Sequence, residues 1–242
     1  MRIQLPLAAL NITFPNKSIN YGNSNMDEKQ IVPKEITGKY GFSNVVTNIN
    51  TYPFKYKEDY LKDNKSIFNI TRLNEYSSKM HNIVKSVQEN EGISLIYSQY
   101  LHSGLIPIAC ALEELGYDNY NSSKNFVEKS YKQKNKINRR KESYIIITGQ
   151  KNISMSVQKE ISIAVSEENK KGNIIKAILI SKAGSEGLDF KNIRNVHILE
   201  PWFNMNRIEQ IIGRAIRNCS HKKLPFKNRN VNIYLYGTIL DS

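Results

Sequence analysis

The second two-thirds of the chain is patterned and the first third is not. Tyr76, Met80, Ile83, Val84 and Val87 recur at helical spacing, which predicts a helix from about residue 75 to Asn90, closed at Gly92. Ile93 to Ser98 is a short apolar run of the length and composition of a buried strand, and Leu105 to Leu115 reads as a helix ending at Gly116. Tyr144 to Gly149, Ile174 to Ile180, Asn195 to Leu199 and Val231 to Tyr236 predict further strands; Ser156 to Ser166 and Asn206 to Asn218 predict helices. Short apolar strands alternating with helices point to an α/β fold, a mostly parallel sheet covered on both faces. No internal repeat interrupts the series.

Two stretches break the pattern. Residues 1 to about 70 are rich in Asn, Lys, Tyr and Pro and are punctuated by Gly22, Gly38, Gly41, Pro15, Pro33 and Pro53. They predict loops, short helices and partial disorder: an irregular arm over residues 1–72 before a folded domain over 73–242. Residues 119–142 crowd Lys124, Lys129, Lys132, Lys134, Lys136, Arg139, Arg140 and Lys141 around Phe126 and Tyr131. This basic insertion reads as a solvated, disordered loop, with a nucleic-acid-contacting loop as the competing reading.

Charge adds a partner class. The 242 residues hold 35 Lys and Arg against 22 Asp and Glu, a formal net charge of +13, which favours polyanions and nucleic acid first. Simple solubility, or a codon bias toward Lys and Asn, accounts for the same excess. With 40% hydrophobic residues a real core is expected. The two cysteines, Cys110 and Cys219, form no disulfide framework; Cys110 reads as core, and Cys219-Ser220-His221 lacks the second ligand pair of a zinc site. No apolar run has the length of a membrane span, and the start reads as an arm rather than a signal peptide. A reducing, intracellular setting is expected. His197 reads as a core or edge histidine, and His81, His102 and His221 have no partner that suggests acid–base work.

Candidate chemistry concentrates in two segments. In Arg207 to Arg217, Gln210, Arg214 and Arg217 would share one face of a helix, while Ile208, Ile211, Ile212 and Ala215 make the opposite, apolar face. Two guanidiniums fixed on a packed helix suit a polyphosphate; a solvated basic face is the other reading. Ser181 to Phe190 follows the strand Ile174 to Ile180 directly, where ligands of open α/β sheets bind. Gly184 and Gly187 there allow a tight turn, Glu186 and Asp189 supply acceptors, and Ser181 can donate to a phosphate. Trp202 and Phe203 read as packing before the last long helix, with Asn204 or Asn206 as its cap.

These residues resemble a family. Ser181 to Phe190 is similar to motif V of superfamily 2 helicases, Gln210-x-x-Gly213-Arg214-x-x-Arg217 to motif VI, and Ser94 to Tyr100 to the strand of motif IV, in the family's order and spacing. The resemblance covers about residues 75–240 and implies a second RecA-like domain. Tyr97 to Tyr100, Ala111 to Gly116, Ile147 to Gly149 and His197 to Arg207 further resemble helicases and early transcription factor ATPases of nucleocytoplasmic large DNA viruses, the mimivirus-like kind, near the Swi/Snf-like branch. What this implies is residue-specific. Arg217 would be the arginine finger on the ATP γ-phosphate and Arg214 its companion. Gln210 and Gly213 would support that helix at the interdomain cleft, with Gly187 and Asp189 at the same cleft. Ser181 and Lys182 would face the nucleic-acid backbone. A viral protein of this kind would work in the host cytoplasm or the virion.

The other half of such a site is expected elsewhere. An ATPase of this family needs a Gly-x-x-x-x-Gly-Lys-Ser/Thr loop and an acidic pair for Mg2+. The nearest candidate, Thr37-Gly38-Lys39-Tyr40, has Pro33 where the first glycine belongs, Tyr40 in place of the hydroxyl, and no apolar strand before it. The sequence therefore predicts half of an active site, inactive alone. ATP and Mg2+ would serve the complete enzyme, with Mg2+ held by a first RecA-like domain supplied in cis or in trans. A fragment, a split-gene product and a degenerate paralogue all satisfy this reading. The alternative is a non-catalytic nucleic-acid-binding or transcription-complex subunit.

Overall fold

A computed structural model describes residues 4–17, 33–63, 65–120, 125–131, 142–150, 152–154, 157–185, 187–201 and 205–239. The amino-terminal third carries three short helices, α1 (Gln4–Ala9), α2 (Pro33–Ile36) and α3 (Gly38–Val45), and a two-stranded antiparallel pair, β1 (Val46–Thr47) and β2 (Lys55–Tyr56). Helices α4 (Ile70–Tyr76) and α5 (Ser78–Glu89) follow, then β3 (Ile93–Tyr97), a π-type turn over Leu101–Leu105, α6 (Ile106–Glu114) and β4 (Asp118–Asn119). The rest is β5 (Ser143–Ile147), α7 (Val157–Ala164), β6 (Ile175–Ile180), β7 (Ile193–Ile198), α8 (Met205–Ala215) and β8 (Asn232–Leu235).

One sheet of six strands runs β4-β5-β6-β3-β7-β8, and every neighbouring pair is parallel. The four inner strands, β5, β6, β3 and β7, are near-continuous apolar runs because both faces are covered. Alternate residues feed two cores. Ile96, Tyr144, Ile146, Ala177 and Leu179 face α5 and α6. Leu95, Tyr97, Ile145, Ile178, Ile180, Val196 and Ile198 face α7 and α8. Cys110 is fully buried in α6, as its apolar surroundings predict.

The order reverses at β3. The chain leaves β3 for the β4 edge, returns through β5 to β6 beside it, and then places β7 on its other side. Such a reversal opens a crevice at the carboxyl ends of the strands. The segments following β3, β6 and β7 all start at that edge.

The expected helix over residues 75–90 is two helices. Ser77 breaks it: its backbone is extended, and its hydroxyl accepts from Met80 N at 3.1 Å as an N-cap. The amino-terminal segment, expected as an irregular arm, is laid onto the sheet's α5–α6 side. Phe14, Phe42, Phe54, Tyr56 and Phe68 are buried in the same core as Met80 and Ile83, with Phe14 and Phe42 edge to face at 5.7 Å. In the 119–142 insertion, residues 121–124 and 132–141 lie outside the described residues. Phe126 and Val127 depart from the solvated reading, because both are buried and donate their backbone N–H groups to the Glu113 carboxylate at 2.9 and 2.8 Å. No helix among the described residues is long and apolar enough to cross a membrane.

Candidate functional site

At the carboxyl end of β6 the chain turns sharply. Ser181 N donates to Ile147 O at 3.0 Å, and Ser181 Oγ accepts from Gly184 N at 3.2 Å, so Ser181 is buried and organises the turn. Lys182 beside it is exposed. Gly184 lies flat on the end of β5: a Cβ there would sit 2.2 Å from Ile147 O. Glycine is needed at this point for close approach, and Gly187 is needed for a left-handed backbone, φ +73°. Glu186 lies outside the described residues.

The loop then meets α8. The buried side of α8 is the one the sequence predicts, with Ile208, Ile211 and Ala215 in the core and Ile212 packed at its margin. On the other side the loop and the helix clasp through three contacts. Phe190 N donates to Arg214 O at 3.3 Å, Arg214 Nη1 donates to Leu188 O at 3.1 Å, and Arg217 Nη1 pairs with Asp189 Oδ2 at 2.7 Å. Asp189, Arg214 and Arg217, drawn from the two predicted segments, are thereby brought together. Gln210 is exposed one turn before Arg214, and Gly213 is exposed with open space where a Cβ would stand.

One expectation is corrected. Arg217 does not share a helical face with Arg214, because α8 ends at Ala215 rather than Asn218. The last bond of the helical type is Ile216 N to Ile212 O. The carbonyl of Arg214 is taken by Phe190, Ser220 Oγ donates to Ala215 O, and Cys219 adopts φ +61°. Arg217 stands on the turn beyond the helix. Its guanidinium and the Asp189 carboxylate are 54% and 52% exposed, so the pair is weak.

The structure adds a residue that sequence reasoning missed. Glu200, just past β7, is buried where the ends of β3 and β7 meet. It accepts from Gln99 N, from Ser98 Oγ at 3.0 Å and from Asn11 Nδ2 at 2.9 Å, tying strand β3, strand β7 and the amino-terminal segment into one knot. Burial pushes its carboxyl up to about 7, against the opposing pull of these donors and of Lys79. A carboxylate directly after an apolar strand, in Ile198-Leu199-Glu200-Pro201, was the available signal. Trp202, Phe203 and Asn204 lie outside the described residues. Cys219 is exposed, and His221 is satisfied by Ser220 Oγ and Ile193 O. Thr37-Gly38-Lys39-Tyr40 straddles the start of α3, where Gly38 N donates to Ser103 Oγ at 2.6 Å and Lys39 Nζ to Asn50 Oδ1 at 3.1 Å.

Residues 112–219 match the helicase conserved C-terminal domain. The "Putative ATP-dependent RNA helicase L538" of Acanthamoeba polyphaga mimivirus is 30% identical over 230 residues, 92% of this chain and 44% of that protein. The "Termination factor NPH-I homolog" of African swine fever virus is 33% identical over 181 residues, 66% of this chain and 26% of that protein. The chain thus spans less than half the length of these curated relatives. Among solved structures, the C-terminal part of the Fun30 ATPase domain aligns with a TM-score of 0.43 at 19% identity, over 66% of this chain and 40% of that one. The match to that domain covers residues 112–219, less than half of the chain.

Proposed function

We propose that this helicase C-terminal domain supplies the arginine half of an ATP site in a nucleic-acid helicase or translocase, with the phosphate-binding loop and Mg2+ ligands contributed by another RecA-like domain. The observation that carries the reading is the clasp at the carboxyl edge of the sheet: Arg214 and Arg217 held against the loop after β6, with the Arg217 guanidinium open to solvent. The sheet order supports it, because the clasp stands beside the crevice where open α/β sheets bind ligands. The name of the mimivirus relative supports ATP as the nucleotide, and the sources of both relatives support a viral setting.

The clasp supports one division of labour. Asp189 holds Arg217 ready, and an incoming γ-phosphate displaces it, because a guanidinium binds a multiply charged phosphate more strongly than one exposed carboxylate. Arg214 fixes the loop through Leu188 O, with Gly187 giving that loop its left-handed step and Gln210 and Gly213 lining the open side of α8. Hydrolysis requires the phosphate-binding loop of the other domain. Closure of the two domains on ATP would complete the site, and reopening would step Lys182 and its neighbours along the nucleic-acid backbone, while Ser181, buried in the turn, positions that loop rather than touching the backbone as the sequence suggested. The boundary expected near residue 73 falls inside α4 and the segment before it shares the core on the α5–α6 side, so one folded unit across that point is proposed.

The test is ATP hydrolysis by the purified chain, alone and mixed with a polypeptide bearing a phosphate-binding-loop domain, with and without nucleic acid. The reading expects turnover in the mixture only. Turnover by the chain alone would place a complete site within it and overturn the proposal.

A further inference from the structure

The opposite end of the sheet carries a cleft that the proposed ATP site does not use. It encloses about 510 Å3 and is lined by Lys170, Lys171, Lys176, Arg194 and Lys227 against one carboxylate, Glu91. Strands β3, β6 and β7 begin beside it, at Ile93, Ile175 and Ile193, next to its lining residues Gly92, Lys176 and Arg194. The six residues of β6 put roughly 16 Å between this end and Ser181.

The cleft is built rather than incidental. Gly92 (φ +83°) has no side chain, and a Cβ there would lie 2.2 Å from Arg194 Cγ, so the Arg194 stem crosses the glycine directly. Gly172 (φ +76°) packs closely against the Gly92 carbonyl, 3.0 Å from where its own Cβ would stand. Arg194 is aimed by Nε and Nη2 bonds to Asn230 O and Oδ1 at 3.0 and 2.7 Å, and its Nη1 has no hydrogen-bond partner among the described residues. Lys176 donates to Asn90 O at 2.7 Å. The far wall, residues 222–229, is pinned by Arg229, which donates to Leu224 O and Lys222 O at 2.9 Å each. Glu167 draws off Lys170 and Lys223 by ion pairs of 2.8 and 2.5 Å, whereas Lys171 and Lys227 are exposed and have no ion pair among the described residues.

We infer that this cleft is a second nucleic-acid contact, gripping a phosphodiester backbone through Lys171, Lys227 and Arg194. Several cations lining one open cleft of this size suit a chain of singly charged phosphates and read no bases. A compact polyphosphate would instead need donors converging on one point. The inference rests on the proposed function only for the identity of the polyanion; its location is independent of the ATP clasp.

The test is fluorescence anisotropy of a labelled duplex DNA and the matching RNA, across a salt series, with three proteins: wild type, Lys171→Glu/Lys227→Glu and Lys182→Glu. Circular dichroism checks that all three fold. The double reversal should weaken binding by about tenfold or more at low salt. It should also flatten the log K against log salt slope by about 2, near 0.9 for each phosphate that is no longer neutralised. A DNA-only or RNA-only loss supports the site and names its polymer. Unchanged affinity and slope in the double variant, with weaker binding by Lys182→Glu, would overturn this site and leave the proposed function standing. No binding by the wild type would overturn both, and competition by inorganic tripolyphosphate at equal phosphate would overturn the backbone assignment.

Discussion

Replacing Glu200 by Gln should remove a pH dependence that the fold now carries. Glu200 is 4% exposed, and its carboxyl is pushed up to about 7 from an unfolded value of 4.5. Between those two values the folded state binds the proton more strongly than the unfolded state. The stability this proton confers is therefore present in full below about pH 4.5 and lost as pH rises through 7. For such a shift the loss between pH 5 and pH 8 is about 2–3 kcal/mol, at roughly 1.4 kcal/mol per pH unit. His102 and His197 act in the opposite sense. Burial lowers each to about 4 from 6.5, so their contribution is lost as pH falls through that range. The wild-type curve alone thus mixes opposing terms, and the difference between wild type and Glu200→Gln isolates one of them. Glutamine keeps an oxygen for Gln99 N and carries no charge. Urea unfolding of both proteins at pH 5, 6, 7 and 8 measures that difference. Glu200→Gln should lose stability relative to wild type at pH 5 and recover by about 2–3 kcal/mol by pH 8. Parallel curves across the range would refute the buried-carboxylate account.

Other perturbations follow from the same geometry. Gly184→Ala sets a Cβ 2.2 Å from Ile147 O and should cost about 1–3 kcal/mol, seen as a lowered melting temperature. Ile211→Ala, in the 2% exposed seam under α8, should cost about 2–5 kcal/mol and raise hydrogen exchange in that helix first. Glu113→Ala strands Phe126 N, Val127 N and the Tyr144 hydroxyl, which donates to it at 2.6 Å, and should expose residues 125–131 to limited proteolysis. Arg217→Ala should shift the chain's own stability by under about 1 kcal/mol, since the pair it breaks is more than half exposed.

The α/β fold was legible because strands buried on both faces leave unmistakable apolar runs, and β3, β5, β6 and β7 stand within two residues of their predicted limits. Strand β4 was not foreseen: two residues, Asp118 and Asn119, pair with β5 without any apolar signal. The packing of the first third was hidden for a different reason. Its anchors Phe14, Phe42, Phe54 and Phe68 are spread over short pieces with no sustained period, and only their mutual contacts reveal a core. At the candidate site the residue types pointed to Asp189, Arg214 and Arg217, but the end of α8 depends on a contact 24 residues away, Phe190 N to Arg214 O, which no local pattern encodes. Glu200 escaped because its importance lies in what surrounds it: Asn11 and Ser98 come from distant parts of the chain.

In the proposed function Arg217 acts on the nucleotide rather than on the fold. That role is tested most directly by kcat for ATP hydrolysis of Arg217→Ala in the reconstituted two-domain mixture, beside its melting temperature. A fall in kcat of about 10³-fold or more with an unchanged melting temperature is expected. A kcat within a fewfold of wild type would contradict it.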